Sequence, residues 1–166
     1  MRYALIREMD ITNGLGVGCS LFVQGCPFHC RGCFNPETWD FDGGKEWTNA
    51  VEDKFIELVN RPYIKRVSIL GGEPLADQNI NCVSHIIQRI KDELPNKTIW
   101  IYSGFKFENM DLDRLDVVSK CSYLVDGQFE IDKQDLNLPF RGSSNQRIID
   151  IQNTLNSNKI KLYKEV

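Results

Sequence analysis

Apolar and polar positions follow two different periods along this chain. Residues 3–6 and 19–23 are short apolar runs of strand character, the second rich in Leu, Phe and Val. Between them, Asn13-Gly14-Leu15-Gly16-Val17-Gly18 predicts a flexible loop, with three glycines in five positions. From Thr48 onward the period lengthens. Thr48 suits a helix cap, and Val51, Phe55, Leu58 and Val59 recur at i, i+4, i+7 and i+8 until Arg61-Pro62 stops the helix. Val67-Ser68-Ile69-Leu70 reads as a buried strand, with Gly71-Gly72-Glu73-Pro74 as its turn. A second helical stripe, Ile80, Val83, Ile87, Ile90 and Leu94, runs to Pro95. Residues 98–102 read as the next strand, a short helix surrounds Leu112 and Leu115, and Tyr123-Leu124-Val125 reads as another strand.

Strands alternating with helices at this spacing predict βαβ units, hence an α/β fold with a parallel sheet. Ligands gather at the carboxyl ends of such strands, so the turns after Leu70, Tyr102 and Val125 are expected on one edge. The tail is less regular. Residues 138–147 read as loop, 148–151 are apolar, and 159–163 alternate like an edge strand.

Length and charge narrow the picture. With 166 residues the chain suits one domain, 1–166, with a loop at about 26–47. A complete eight-stranded α/β barrel usually needs about 250 residues. Twenty basic groups against 23 acidic ones, a net charge of −3, argue against a nucleic-acid binder or a binder of anionic membranes. The apolar stretch at the N-terminus is too short for a signal peptide, and no apolar run approaches the ~18 residues of a membrane span. The expectation is a cytoplasmic protein with reduced thiols.

Those thiols change the reading from fold to chemistry. Three of six cysteines, Cys26, Cys30 and Cys33, fall within eight residues as C-x3-C-x2-C. Gly25, Pro27 and Gly32 supply turns that would let the thiolates converge on a small inorganic centre. Structural zinc favours four closed ligands in paired C-x2-C units, which are absent here, and His29 lies too close in sequence to Cys30 to converge easily with it on one ion. An iron–sulfur cluster held by three thiolates would leave one iron open. A disulfide or peroxide-reducing role is the third option. Cys19, Cys82 and Cys121 read as small buried hydrophobes. In Gly71-Gly72-Glu73-Pro74, the glycines permit close backbone approach to a ligand or positive φ, and Glu73 offers a carboxylate to an ammonium group; a plain turn with a solvated glutamate is the alternative.

The cysteine motif after one strand and Gly-Gly-Glu-Pro after a later one resemble the radical S-adenosylmethionine superfamily. There, three cysteines hold a [4Fe–4S] cluster whose open iron chelates the methionine amino and carboxyl groups, and one electron splits the sulfonium to methionine and a 5′-deoxyadenosyl radical. Gln24-Gly25-Cys26-Pro27, Cys33-Phe34-Asn35-Pro36-Glu37-Thr38-Trp39, Trp100-Ile101-Tyr102-Ser103-Gly104, Leu124-Val125-Asp126-Gly127 and Phe140-Arg141-Gly142-Ser143-Ser144-Asn145-Gln146-Arg147 resemble a narrower family, the activating proteins of anaerobic ribonucleoside-triphosphate reductases. The resemblance implies a partial parallel α/β barrel and an activase that generates a glycyl radical on the reductase large subunit, with a flavodoxin-type electron donor. It implies Cys26, Cys30 and Cys33 as cluster ligands, and Gly32, Cys33, Phe34, Gly71, Gly72 and Glu73 at the S-adenosyl-L-methionine. Gly32 stands where many members of the superfamily carry an aromatic residue, which makes Phe34 a candidate to pack on the adenine; no catalytic side chain is assigned beyond the cluster. A pyruvate formate-lyase type activase, a small-molecule radical enzyme such as a deazapurine synthase, and a non-enzymatic metal-binding module are the alternatives.

Three further features stay open at this level. Asp126 lies at the expected sheet edge and is either a cofactor contact or a capping carboxylate. Arg141 has the planar fork to hold a carboxylate, or is a surface ion-pairing residue. Trp39, Phe41 and Trp47 are expected to pack over the cysteine loop, while His29 and His85 read as ordinary histidines.

Overall fold

A computed structural model describes residues 1–164. Among them, one sheet holds β1 (Arg2–Asp10), β2 (Gly18–Val23), β3 (Lys45–Glu46), β4 (Arg66–Gly71), β5 (Thr98–Ser103), β6 (Tyr123–Asp126) and β7 (Arg147–Asp150). Their order across the sheet is β3-β1-β2-β4-β5-β6-β7. The α/β class holds, but the sheet is mixed. β2, β4, β5 and β6 are parallel, while β1, β3 and β7 run antiparallel to their neighbours. The reason lies in the connections. The parallel strands are joined by segments carrying the helices α1 (Asn49–Val59), α2 (Ile80–Glu93) and α3 (Leu112–Ser119), whereas β1 to β2 and β6 to β7 return without an α-helix. The sheet does not close, and β3 and β7 remain separate edges.

The helices form where the periodicity placed them. The Thr48 hydroxyl accepts the Val51 N–H at 3.2 Å and fixes the start of α1. One face of the sheet, carrying Leu21, Ile69, Ile101 and Leu124, packs against Phe55, Val59, Val83, Ile87, Ile90 and Val118 of the helices. Burial of each such side chain is worth about 1.5–3 kcal/mol, so this layer fixes the strand positions. The pairs Leu5–Phe22, Phe22–Leu70 and Tyr102–Val125 lie on the opposite, helix-free face. There Trp100, Val125 and Ile148 make a smaller cluster with Tyr102, Tyr123, Phe140 and Tyr163.

Three expectations are corrected. A fourth helix, α4 (Ile151–Ser157), follows β7, its first turn capped by the Asp150 carboxylate, which accepts from Asn153 N–H at 3.1 Å. The expected edge strand at 159–163 is reduced to a single bridge, Ile149 to Leu162, flanked by two backbone hydrogen bonds. The glycine-rich loop after β1 is held from inside. Fully buried Arg66 donates to the carbonyls of Asp10, Asn13 and Gly16 and to the Ser68 hydroxyl. No helix among the described residues is long and apolar enough to cross a membrane.

Candidate active site

The cysteine loop leaves the carboxyl end of β2 and closes on itself. Gln24 Nε2 donates to the carbonyls of Glu37 and Asp40 at 2.9 and 2.8 Å. The N–H groups of Gly25 and Cys26 donate to Thr38 and Trp39. Inside this ring the Cys33 N–H donates to the Cys30 carbonyl at 3.1 Å, and the Asn35 N–H points at Cys33 Sγ at 3.4 Å. His29 takes a left-handed conformation, φ +50°, and stacks on Trp39 with ring centres 4.6 Å apart. Phe41 lies against Gly25. Trp47 does not cover the loop: it packs on Tyr3 and Phe55 and donates to Glu52 at 3.0 Å. Cys26, Cys30 and Cys33 are free and half-buried, and burial pushes the thiols of Cys26 and Cys30 up.

The Gly-Gly-Glu-Pro turn is fastened to this loop. Gly71 sits at φ +103°, and a Cβ on Gly72 would stand 2.4 Å from the Gly25 carbonyl oxygen, so both positions require glycine. Glu73 N–H donates to that carbonyl at 2.8 Å, and Gly72 N–H to Val23 at 2.8 Å. The Glu73 carboxylate is buried and accepts from Leu75 N–H, Ser103 Oγ and Gly104 N–H at 2.9, 2.9 and 2.7 Å. Burial nevertheless outweighs these bonds and pushes its carboxyl up to about 7. Glu73 thus ties the ends of β4 and β5 together, a long-range role that no local pattern announces.

Cys26, Cys30, Cys33, Gly71, Gly72 and Glu73 line one cavity of about 390 Å³, within the range of small-molecule sites. Phe28, Ser103 and Gly104 share its wall, and Thr12 and Asn13 stand at the β1–β2 loop. Its roof is the segment 134–143, which doubles back on itself through a Gln134–Ser143 bridge. Tyr102 Oη holds that roof by donating to the Phe140 carbonyl at 2.7 Å. Arg141 lines the cavity, donates to Pro139 O at 3.4 Å, and keeps a buried Nε with no hydrogen-bond partner. Phe34 also lines it, 56% exposed and against Phe129 at 5.0 Å. Gly32 stands apart, beside Ile131. Asp126 is turned away: its carboxylate accepts from Phe107 N–H at 2.9 Å and from Arg147 at 3.0 and 2.5 Å.

Among the described residues, no three His, Cys, Asp or Glu side chains converge on a point that would hold one metal ion. A mononuclear thiolate site needs its donors about 2.3 Å from one centre. Cys26, Cys30 and Cys33 are three free thiols on the wall of one cavity, soft donors whose chemistry fits iron–sulfur ligation. Residues 12–149 match the family model of the 4Fe-4S single cluster domain. The chain belongs to that family. It is also 42% identical over 148 residues to the anaerobic ribonucleoside-triphosphate reductase-activating protein of Escherichia coli (strain K12), covering 88% of this chain and 96% of that one. The protein of the same name from Vibrio cholerae is 37% identical, covering 89% and 97%, and that of Enterobacteria phage T4 is 34% identical, covering 89% and 93%. The chain therefore also belongs with these activating proteins, which it matches over nearly their whole length.

One residue of the site escaped the sequence pattern. Buried Asn79 precedes α2 and reads as its cap, yet it makes no capping bond. Its Nδ2 instead donates to the carbonyls of Gln24 and Glu73 at 3.1 and 3.0 Å, so one side chain holds both arms of the site.

Proposed function

We propose that this protein is a radical S-adenosylmethionine activase that generates a glycyl radical on the large subunit of an anaerobic ribonucleoside-triphosphate reductase. The observation that carries the reading is the meeting of Cys26, Cys30 and Cys33 with Gly71, Gly72 and Glu73 in one cavity. The match to a 4Fe-4S single cluster domain and the names of the relatives support it, and favour the reductase over other glycyl-radical enzymes. The three thiolates would hold a [4Fe–4S] cluster. When bound and reduced by an external flavodoxin-type donor, that cluster supplies the one-electron cleavage of S-adenosylmethionine that lets a hydrogen atom be removed from a glycine Cα of the partner.

The chain's own residues bind, orient and exclude water. Glu73 offers carboxylate lone pairs to the methionine ammonium, held in place by its three donors. Arg141, whose side chain lines the same cavity, brings a guanidinium suited to a carboxylate. Phe34 offers an aromatic face to the adenine. Asp126 acts at one remove, anchoring Phe107 and Arg147 at the end of β6. The unclosed sheet suits the partial barrel of this superfamily and leaves room for a loop of another protein.

The test is anaerobic reconstitution with iron and sulfide, followed by reductant and S-adenosylmethionine. 5′-Deoxyadenosine is expected, and a glycyl-radical signal in electron paramagnetic resonance once the reductase is added. Cluster-loaded protein that leaves S-adenosylmethionine intact would overturn the reading.

A further inference from the structure

Cys30 faces two ways. With Phe28, Gly104, Gln128 and Phe129 it lines the inner cavity and also a second groove of about 780 Å³, bounded by the cysteine loop, the turn after β5 and the segment after β6. Cys26 and Cys33 line the inner cavity and not this groove. The thinnest partition between the two spaces is therefore the wall that carries the Cys30 thiol. The apolar part of the groove is aromatic: the Phe28 and Phe105 rings meet edge to face at 4.9 Å, and Phe129 lines the same wall.

Around this aromatic wall the charge is lopsided. Arg31, Lys106 and Lys133 line the groove against Glu130 alone, on a chain whose net charge is −3. The acids nearby are engaged: Glu130 with Lys133 at 3.0 Å, Asp132 with Arg31 at 3.3 Å and Glu108 with Arg147 at 2.6 Å, while Lys106 has no ion pair among the described residues. The pairs of Lys133 and Arg31 are exposed on both sides, and such pairs contribute little, so their cations can turn to another anion at small cost.

We infer that this groove is the docking surface for the electron donor, an acidic one-electron carrier protein whose carboxylates pair with Arg31, Lys106 and Lys133 and whose redox group meets the Cys30 side. S-adenosylmethionine and the glycine of the reductase both need the inner cavity, so the carrier is served by a surface outside it, and Cys30 is the proposed ligand that reaches one. One electron leaves the carrier and one enters the group held by the three thiolates; no atom changes hands. An aromatic patch with a basic rim suits a brief encounter of this kind, in which charge acts on the association rate more than on the lifetime. The inference rests on the proposed function and adds the side from which the electron arrives.

Lys106→Glu, alone and combined with Lys133→Glu, tests it, since both lysines are exposed and neither lines the inner cavity. The reconstituted proteins are supplied with S-adenosylmethionine and either excess dithionite, a small reductant that needs no docking, or reduced flavodoxin. With dithionite, 5′-deoxyadenosine is expected at the wild-type rate. With flavodoxin, the rate for the double variant should fall at least about tenfold, the lower end of electrostatic steering, and lose most of its dependence on ionic strength. Lys106→Arg should behave as wild type with both. A flavodoxin-driven rate unchanged in the double variant would overturn the inference. So would an equal loss with dithionite, which would place the lysines in the cofactor site itself, or a wild-type protein that dithionite drives and flavodoxin does not. Failure of the wild-type protein to cleave S-adenosylmethionine with dithionite would instead strike the proposed function.

Discussion

The backbone N–H of Glu73 donates to the carbonyl of Gly25 at 2.8 Å, so the turn after β4 is joined to the residue immediately before Cys26. The cysteine loop and the Gly-Gly-Glu-Pro turn are therefore tied to each other through the backbone. Damage to the contact should be felt on both sides.

Gly72→Ala tests that coupling. Its Cβ would stand 2.4 Å from the Gly25 oxygen, a backbone atom that cannot swing aside. We expect a loss of about 1–3 kcal/mol in stability, as for other overpacked sites. Affinity for S-adenosylmethionine should also fall at least about tenfold, or 1.4 kcal/mol. Denaturant unfolding and equilibrium binding measure the two effects, and unchanged binding would separate the turn from the site.

Cysteine replacement divides the six thiols into two groups. Cys30→Ala should lose iron, sulfide, colour and 5′-deoxyadenosine production together. Cys82→Ala, on the half-buried side of α2, should retain all four. Iron and sulfide analysis of the purified variants decides it, and a Cys30 variant with full cleavage would remove that thiol from the ligand set.

Asp10 sets an acid limit. Burial alone would raise its carboxyl, but the bonds from Ser20, Thr12 and Asn13 win and hold it at about 2, below its ordinary 3.8. A lowered folded value means that the folded state favours the carboxylate. The contribution is complete above about 3.8 and is lost as pH falls through 3.8 toward 2. Asp10→Asn should be less stable than the wild type at neutral pH and show a shallower stability slope across that window, as followed by denaturant titrations from pH 2 to 5.

Tyr102→Phe should release the roof. It removes the bond to the Phe140 carbonyl at 2.7 Å while keeping the ring. A cost of about 1 kcal/mol is expected, together with faster amide hydrogen exchange across 134–143 than in the rest of the fold. Exchange confined to wild-type rates would show that the roof is held elsewhere.

Much of this fold was legible because it is local. The stripes of α1 and α2, the apolar runs of β2, β4, β5 and β6, and the clustered cysteines all lie in short windows. What escaped depends on partners far along the chain. The return of β7 antiparallel to β6 is set by the 127–146 connection, which has no α-helix to impose a crossover. α4 reads Ile-Gln-Asn-Thr-Leu-Asn-Ser, mostly poor helix formers, and is signalled only by the capping carboxylate of Asp150. Leu112 was a natural anchor for α3, yet it faces outward and Val117 and Val118 turn in. At the site, Glu73 could be singled out from its motif, but not its burial against Ser103 and Gly104. Asp126 was visible at its strand end, whereas Arg147, which occupies its carboxylate, lies 21 residues on.

Arg66 carries a consequence for anyone wishing to re-engineer the chain. Gly14 and Gly16 between β1 and β2, with Gly18 opening β2, advertise a place to insert a reporter, open new termini or cut with a protease. The guanidinium stitched to the carbonyls of Asp10, Asn13 and Gly16 makes that stretch a rigid seam instead. Grafts there would unseat a buried cation, so the exposed turn at Pro95 and Asn96, which takes no part in the cavity wall, is the better port of entry for permutation and labelling.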